Sequence, residues 1–108
     1  MAEAENLSAG GYEAAVATGV TLVDFWATWC GPCKVMGALL EQQIAPRLGD
    51  GVKVRKVNVE ENGELAARLG VLSIPTLLVY RDGVERTRLE GVQKPDDVLA
   101  AVQAALEA

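Results

Sequence analysis

Apolar and polar positions change rhythm several times along the chain, and each rhythm predicts an element. Ser8 stands where it can cap a first helix running to about Thr18, with Gly19 to end it; Gly10 and Gly11 make that helix weak. Residues 21–26, Thr-Leu-Val-Asp-Phe-Trp, carry β-branched and aromatic side chains on both parities, which predicts a strand covered on both faces. Met36, Leu40, Ile44 and Leu48 then recur at helical spacing, with Val35 and Leu39 beside them. Pro46 ends or bends that helix, and Gly49-Asp50-Gly51 reads as a turn. Residues 52–59 form a second strong strand, and Asn62 is expected to cap a short helix that stops at Gly70. Residues 76–80 and 84–89 flank Arg81-Asp82-Gly83, a hairpin signal. The last helix has Pro95 in its first turn, Asp96 and Asp97 near its positive end, and an expected buried stripe of Val98, Val102, Ala105 and Leu106.

Helices alternating with strands, then a hairpin and a closing helix, predict an α/β fold. We expect a three-layer α/β/α sandwich with a central mixed sheet of four to five strands between four helices. Residues 2–7 are the weak part: Ala and Glu form strands poorly, so the expectation is a short or frayed edge strand. With 108 residues the chain suits a single domain over 1–108, with no repeat or linker to divide it. Folding at this size removes roughly two thirds of the chain's surface from water, enough core to fold without cross-links.

Charge and termini narrow the function classes. Ten basic and fifteen acidic residues give a net charge of −5, interspersed along the chain, which favours solubility and works against nonspecific nucleic-acid binding. No apolar run approaches a membrane span, and the acidic start lacks the basic and apolar segments of a secretory signal. The expectation is a cytoplasmic, monomeric protein with no membrane partner.

The candidate chemistry lies in Trp29-Cys30-Gly31-Pro32-Cys33-Lys34, which holds both cysteines of a chain without histidine. A structural bridge closing so small a ring contributes only about 2 kcal/mol. Tetrahedral zinc wants four Cys or His ligands, and the chain offers two. Redox chemistry fits the position better. Cys30 follows a strand and precedes the first turn of a helix, where unpaired N–H groups and the helix dipole favour thiolate. Lys34 adds charge nearby or is an ordinary solvated lysine. Cys33, one turn deeper, is expected to be more buried and to reach Cys30 as a resolving thiol.

The segment from Val23 to Lys34 resembles the active-site segment of the thioredoxin family, and Ile74-Pro75-Thr76, Lys56-Val57-Asn58, Arg81-Asp82-Gly83 and Gly91 fall where that family has its other signatures. The similarity covers about residues 20–105, and Gly-Pro between the cysteines is similar to thioredoxins rather than to glutaredoxins, disulfide isomerases or periplasmic oxidants. The resemblance implies a protein-disulfide reductase in which Cys30 is the nucleophile and Cys33 the resolving thiol. It implies that Asp24 accepts a proton from Cys33, where the residues alone equally allow a structural ion pair with Lys56, which has the matching parity on the second strand. It implies a cis bond before Pro75, although an Xaa–Pro bond is ordinarily trans. It implies a substrate surface of Trp29, Gly31, Pro32, Ile74, Pro75, Gly91 and Val92, with Trp26 and Phe25 left to packing. No bound cofactor or metal is expected; electrons would come from NADPH through a thioredoxin reductase, and the partners would be that reductase and diverse disulfide-containing proteins. A redox-independent binding subunit using the same apolar patch is the alternative.

Two positions depart from the family pattern. Where relatives commonly bend the long helix with a proline, this chain has Ala38 preceded by Gly37, which predicts a less kinked helix with no sharp bend at residues 36–39. Glu90, beside Gly91, stands where many relatives carry an apolar residue; it is either a rim charge that disfavours acidic partners or a plain solvated one.

Overall fold

A computed structural model describes residues 4–108. Five strands form one mixed sheet in the order β1-β3-β2-β4-β5. They are β1 (Ala4–Asn6), β2 (Val20–Trp26), β3 (Val52–Asn58), β4 (Thr76–Arg81) and β5 (Val84–Glu90). β1, β3 and β2 run parallel; β4 and β5 are antiparallel to their neighbours. Four α-helices cover the sheet: α1 (Tyr12–Val16), α2 (Gly31–Leu39), α3 (Gly63–Arg68) and α4 (Pro95–Leu106).

The alternation of side chains along β2 divides the core into two layers. Val20 and Leu22 face α2 and α4, meeting Met36, Leu40, Val98 and Val102. Val23 and Phe25 face α1 and α3, meeting Tyr12, Val16 and Leu65. Both faces are covered, as the doubly apolar strand required. Asp24 has the parity of Leu22 and therefore points under α2, the helix that carries the cysteines. β1 is a three-residue edge strand, in keeping with its poor composition; residues 2 and 3 of that expectation lie outside the described residues.

Several details differ from expectation. Leu106, expected in the buried stripe of α4, is the helix's last residue and 40% exposed, whereas Val98, Val102 and Ala105 are buried. The first helix is a 3₁₀ turn over Ala9–Gly11 followed by only five α-helical residues, and the Ser8 hydroxyl makes no cap. The glycine pair confines α-geometry to the stretch whose Tyr12 and Val16 are buried. Asn62 stands at the N-cap of α3, but its side chain bonds elsewhere, accepting from Ala9 N–H (3.0 Å) and donating to the Asn58 carbonyl (3.0 Å). α2 keeps α-helical geometry through residues 36–39; the change comes later, as a π turn over Leu40–Ile44 and a 3₁₀ turn over Ala45–Arg47 containing Pro46. A side chain at Gly37 would meet nothing within 4 Å, so close packing does not explain that glycine. The hairpin turns through Asp82 (φ 49°) and Gly83 (φ 82°), and the Asp82 carboxylate accepts the Gly19 N–H at 2.7 Å. That contact ties the hairpin to the start of β2. Among the described residues no helix is long and apolar enough to cross a membrane.

Candidate active site

β2 delivers the chain to the C-terminal edge of the sheet, where Ala27 to Trp29 turn into α2. Cys30 is the N-cap of that helix in extended conformation, with Pro32 in the first turn, where its missing N–H costs nothing. Cys30 and Cys33 are joined by a disulfide. The Cys33 backbone N–H donates to Cys30 Sγ at 3.1 Å, so the sulfur occupies the place of a capping oxygen at the positive end of α2. An N–H aimed at sulfur stabilises a thiolate more than a thiol.

Three strand ends close around the disulfide. The Ile74–Pro75 peptide is cis, and the Ile74 carbonyl oxygen lies 3.9 Å from Cys30 Sγ. The turn before it is held by Thr76 Oγ1 donating to the Ser73 carbonyl (2.7 Å). Gly91, at φ 84°, donates its N–H to the Pro75 carbonyl (2.8 Å), which docks the end of β5 beside the cis bond. Gln93 N–H donates to Met36 Sδ (3.3 Å), linking that loop to α2 from beneath. The loop ahead of Trp29 is fastened by Glu60, whose carboxylate accepts both the N–H (2.8 Å) and the hydroxyl (2.7 Å) of Thr28. Those bonds hold the Glu60 carboxyl below its ordinary range.

The expected contrast between the sulfurs is slight: Cys30 and Cys33 are 5% and 4% exposed. In the disulfide the Cys30 side chain turns inward toward Cys33 and Ile74, so both sulfurs are covered. Around them the surface is open. Trp29 is 69% and Val92 47% exposed, Gly31 and Pro32 are exposed, Ile74 and Gly91 are half-buried, and Pro75 is buried. Sequence reasoning missed the neighbouring loop: Leu72 is 92% exposed and shares an apolar recess with Trp29, Val59, Val71 and Ile74. A leucine in an unpatterned loop next to the Ile-Pro pair was the available signal.

Asp24 is fully buried, and neither carboxylate oxygen has a hydrogen-bond partner. Burial pushes its pKa up to about 6, against a weaker opposing pull from Lys56. Lys56 is level with Asp24 in the β2–β3 register, as parity required, but the direct ion pair does not form. Its ammonium lies over the Trp26 ring, 4.8 Å from the centroid, against the indole face. Trp26 is half-buried and its indole N–H has no partner. A groove of about 320 Å³ between β2, β3 and α2 is lined by Trp26, Cys33 and Lys56, with Gly37, Ala38 and Glu41 on its helical wall. Its open mouth, with Lys56, Glu41 and Gln42 in the lining, gives water a route to the side of Cys33 away from the exposed apolar surface. Among the described residues no three His, Cys, Asp or Glu side chains gather as a metal site.

A closely spaced, disulfide-forming cysteine pair at a helix start, under a cis-proline loop and beside an exposed apolar surface, defines a thiol–disulfide oxidoreductase. Comparison with known proteins agrees. The thioredoxin family model matches residues 3–104. A thioredoxin of Bacillus subtilis is 50% identical over 72 residues, covering 67% of this chain and 68% of the relative. A Staphylococcus aureus thioredoxin is 45% identical over 91 residues, covering 84% and 86%. Among solved structures, a Malassezia sympodialis thioredoxin superposes with a TM-score of 0.85 at 30% identity, covering 95% of this chain and 93% of that one. A mutant thioredoxin from Halobacterium salinarum gives 0.87 at 29%, covering 98% and 93%. The chain belongs to the thioredoxin family.

Proposed function

We propose that this protein is a protein-disulfide reductase working by a dithiol–disulfide cycle. The Cys30 thiolate attacks one sulfur of a substrate disulfide; a mixed disulfide forms and the other substrate sulfur leaves as thiolate. Cys33 gives up its proton and attacks Cys30 Sγ. The Cys30–Cys33 bond forms, the second substrate sulfur departs, and two electrons have passed to the substrate. Asp24 takes the Cys33 proton through an intervening water, and a carboxyl with a pKa near 6 is suited to accept and return it near neutrality. Lys56 sets how readily Asp24 ionises. The Ile74 backbone and the surface of Trp29, Gly31, Pro32, Pro75, Gly91 and Val92 receive an extended substrate segment by its main chain and shape. Thioredoxin reductase, using NADPH, restores the dithiol, and the cytoplasm is the compartment where that supply operates.

The observation that carries this reading is the disulfide itself, capping α2 where an exposed apolar surface surrounds it. The test is reduction of insulin disulfides with NADPH and a thioredoxin reductase. Turnover by the wild type, none by Cys30→Ser, and accumulation of a covalent insulin adduct on Cys33→Ser support the reading. Equal insulin precipitation with and without the protein overturns it.

A further inference from the structure

An apolar hollow with an acid at its lip lies beside the cysteines. The recess bounded by Trp29, Val59, Val71, Leu72, Ser73 and Ile74 has a volume of about 190 Å³ and an almost wholly apolar lining. At its lip the Ser73 hydroxyl donates to Glu90 Oε2 at 3.2 Å. This bond holds a carboxylate beside the opening. Glu90 is the last residue of β5, level with Thr76 in the sheet register and one residue before the glycine that docks on Pro75. Among the described residues no Lys or Arg stands within ion-pair distance of it, and Arg88 attracts it only through space. Arg88, two residues away on the same strand, directs its guanidinium to Glu85 (3.0 and 2.9 Å) and to the carbonyls of Leu69 (2.8 Å) and Gly70 (2.9 Å).

We propose that this recess and Glu90 form a subsite for a lysine or arginine side chain of the substrate, within a residue or two of the cysteine that Cys30 attacks. The proposal rests on reading the site as a reductase of protein disulfides. The hollow and its acid match a side chain with an aliphatic stem and a cationic head: the stem covers Leu72 and Val59 while the head stays at the wet rim against Glu90. The Trp29 face adds attraction for the same cation. An acidic substrate side chain meets repulsion there, and an apolar one fills the hollow without engaging the carboxylate. Proximity to the reacting sulfur follows from Ile74, which lines the recess and places its carbonyl 3.9 Å from Cys30 Sγ. A segment pairing with Ile74 must pass the opening.

The test uses cystine-linked peptides that differ only in the residue next to cysteine: Lys, Arg, norleucine or Glu. At low ionic strength kcat/KM for the Lys and Arg peptides is expected to exceed that for the Glu peptide by about fivefold, the scale of exposed charge pairs. Addition of about 0.5 M salt compresses the ratio toward one, a readout that needs no variant. Glu90→Gln brings it below about twofold, and Glu90→Lys inverts it. A wild-type ratio near one, or a ratio unchanged by both salt and Glu90→Gln, overturns the subsite while leaving the reductase reading intact. If neither insulin nor any peptide is reduced, the reductase reading falls and the subsite with it.

Discussion

Replacing Asp24 by asparagine tests the electrostatics of the core directly. The carboxyl is fully buried with no hydrogen bond to either oxygen, and burial raises its pKa from 3.8 to about 6 despite Lys56. The unfolded chain therefore ionises Asp24 above about pH 4, whereas the folded protein holds the proton until about pH 6. Between those values the folded state binds more protons, so stability falls as pH rises through that window. The cost is fully present above about pH 6 and absent below about pH 4. The gap between 3.8 and about 6, at about 1.4 kcal/mol per pH unit, amounts to about 3 kcal/mol. Asparagine has nearly the same shape and polarity as the neutral acid but cannot ionise. Urea unfolding of the oxidised protein, extrapolated to water at intervals from pH 4 to pH 8, reads the difference. Asp24→Asn is expected to match the wild type within about 1 kcal/mol at pH 4 and to exceed it by about 3 kcal/mol at pH 8. Two stability curves running parallel across that range would refute the reasoning.

Tyr12→Phe should cost about 1 to 2 kcal/mol in denaturant unfolding, because the buried Tyr12 hydroxyl donates to Tyr80 at 2.8 Å and its loss leaves Tyr80 without that partner; an unchanged midpoint contradicts the pairing. Gly91→Ala should cost about 1 to 2 kcal/mol through its positive φ of 84° alone, since an added Cβ there meets nothing within 4 Å; full wild-type stability would show that the turn relaxes freely. Glu60→Ala should speed hydrogen exchange at the Thr28 amide above pH 5, where the carboxylate of Glu60 otherwise accepts that N–H; unchanged protection would show the loop is held by other contacts.

Much of this fold was readable from side-chain rhythm. β2, β3, the hairpin and α4 follow from periodicity because burial on defined faces dictates where apolar residues go, and Asp24 stood out as the one charge in a doubly covered strand. What escaped depends on packing in three dimensions. The π turn over Leu40–Ile44 has the same apolar spacing as an ordinary helix, so nothing in its residues separates i→i+5 from i→i+4 bonding. Parity placed Lys56 level with Asp24, but a four-carbon stem can reach several partners, and it settled on the Trp26 face. Glu60 and Ser73 act through bonds to residues 32 and 17 positions away, contacts that no local pattern encodes. The cis bond at Pro75 was expected from family resemblance alone.

Everything proposed for the reaction depends on the start of α2 making the Cys30 thiolate cheap to form. The direct measurement is the rate of Cys30 alkylation by iodoacetamide in the reduced protein as a function of pH, read by mass spectrometry of the modified peptide. The expected result is an apparent pKa clearly below that of free cysteine, about 8.5, so that Cys30 reacts rapidly at pH 7 while Cys33 remains protected. A Cys30 profile with a midpoint at or above that of free cysteine would contradict it.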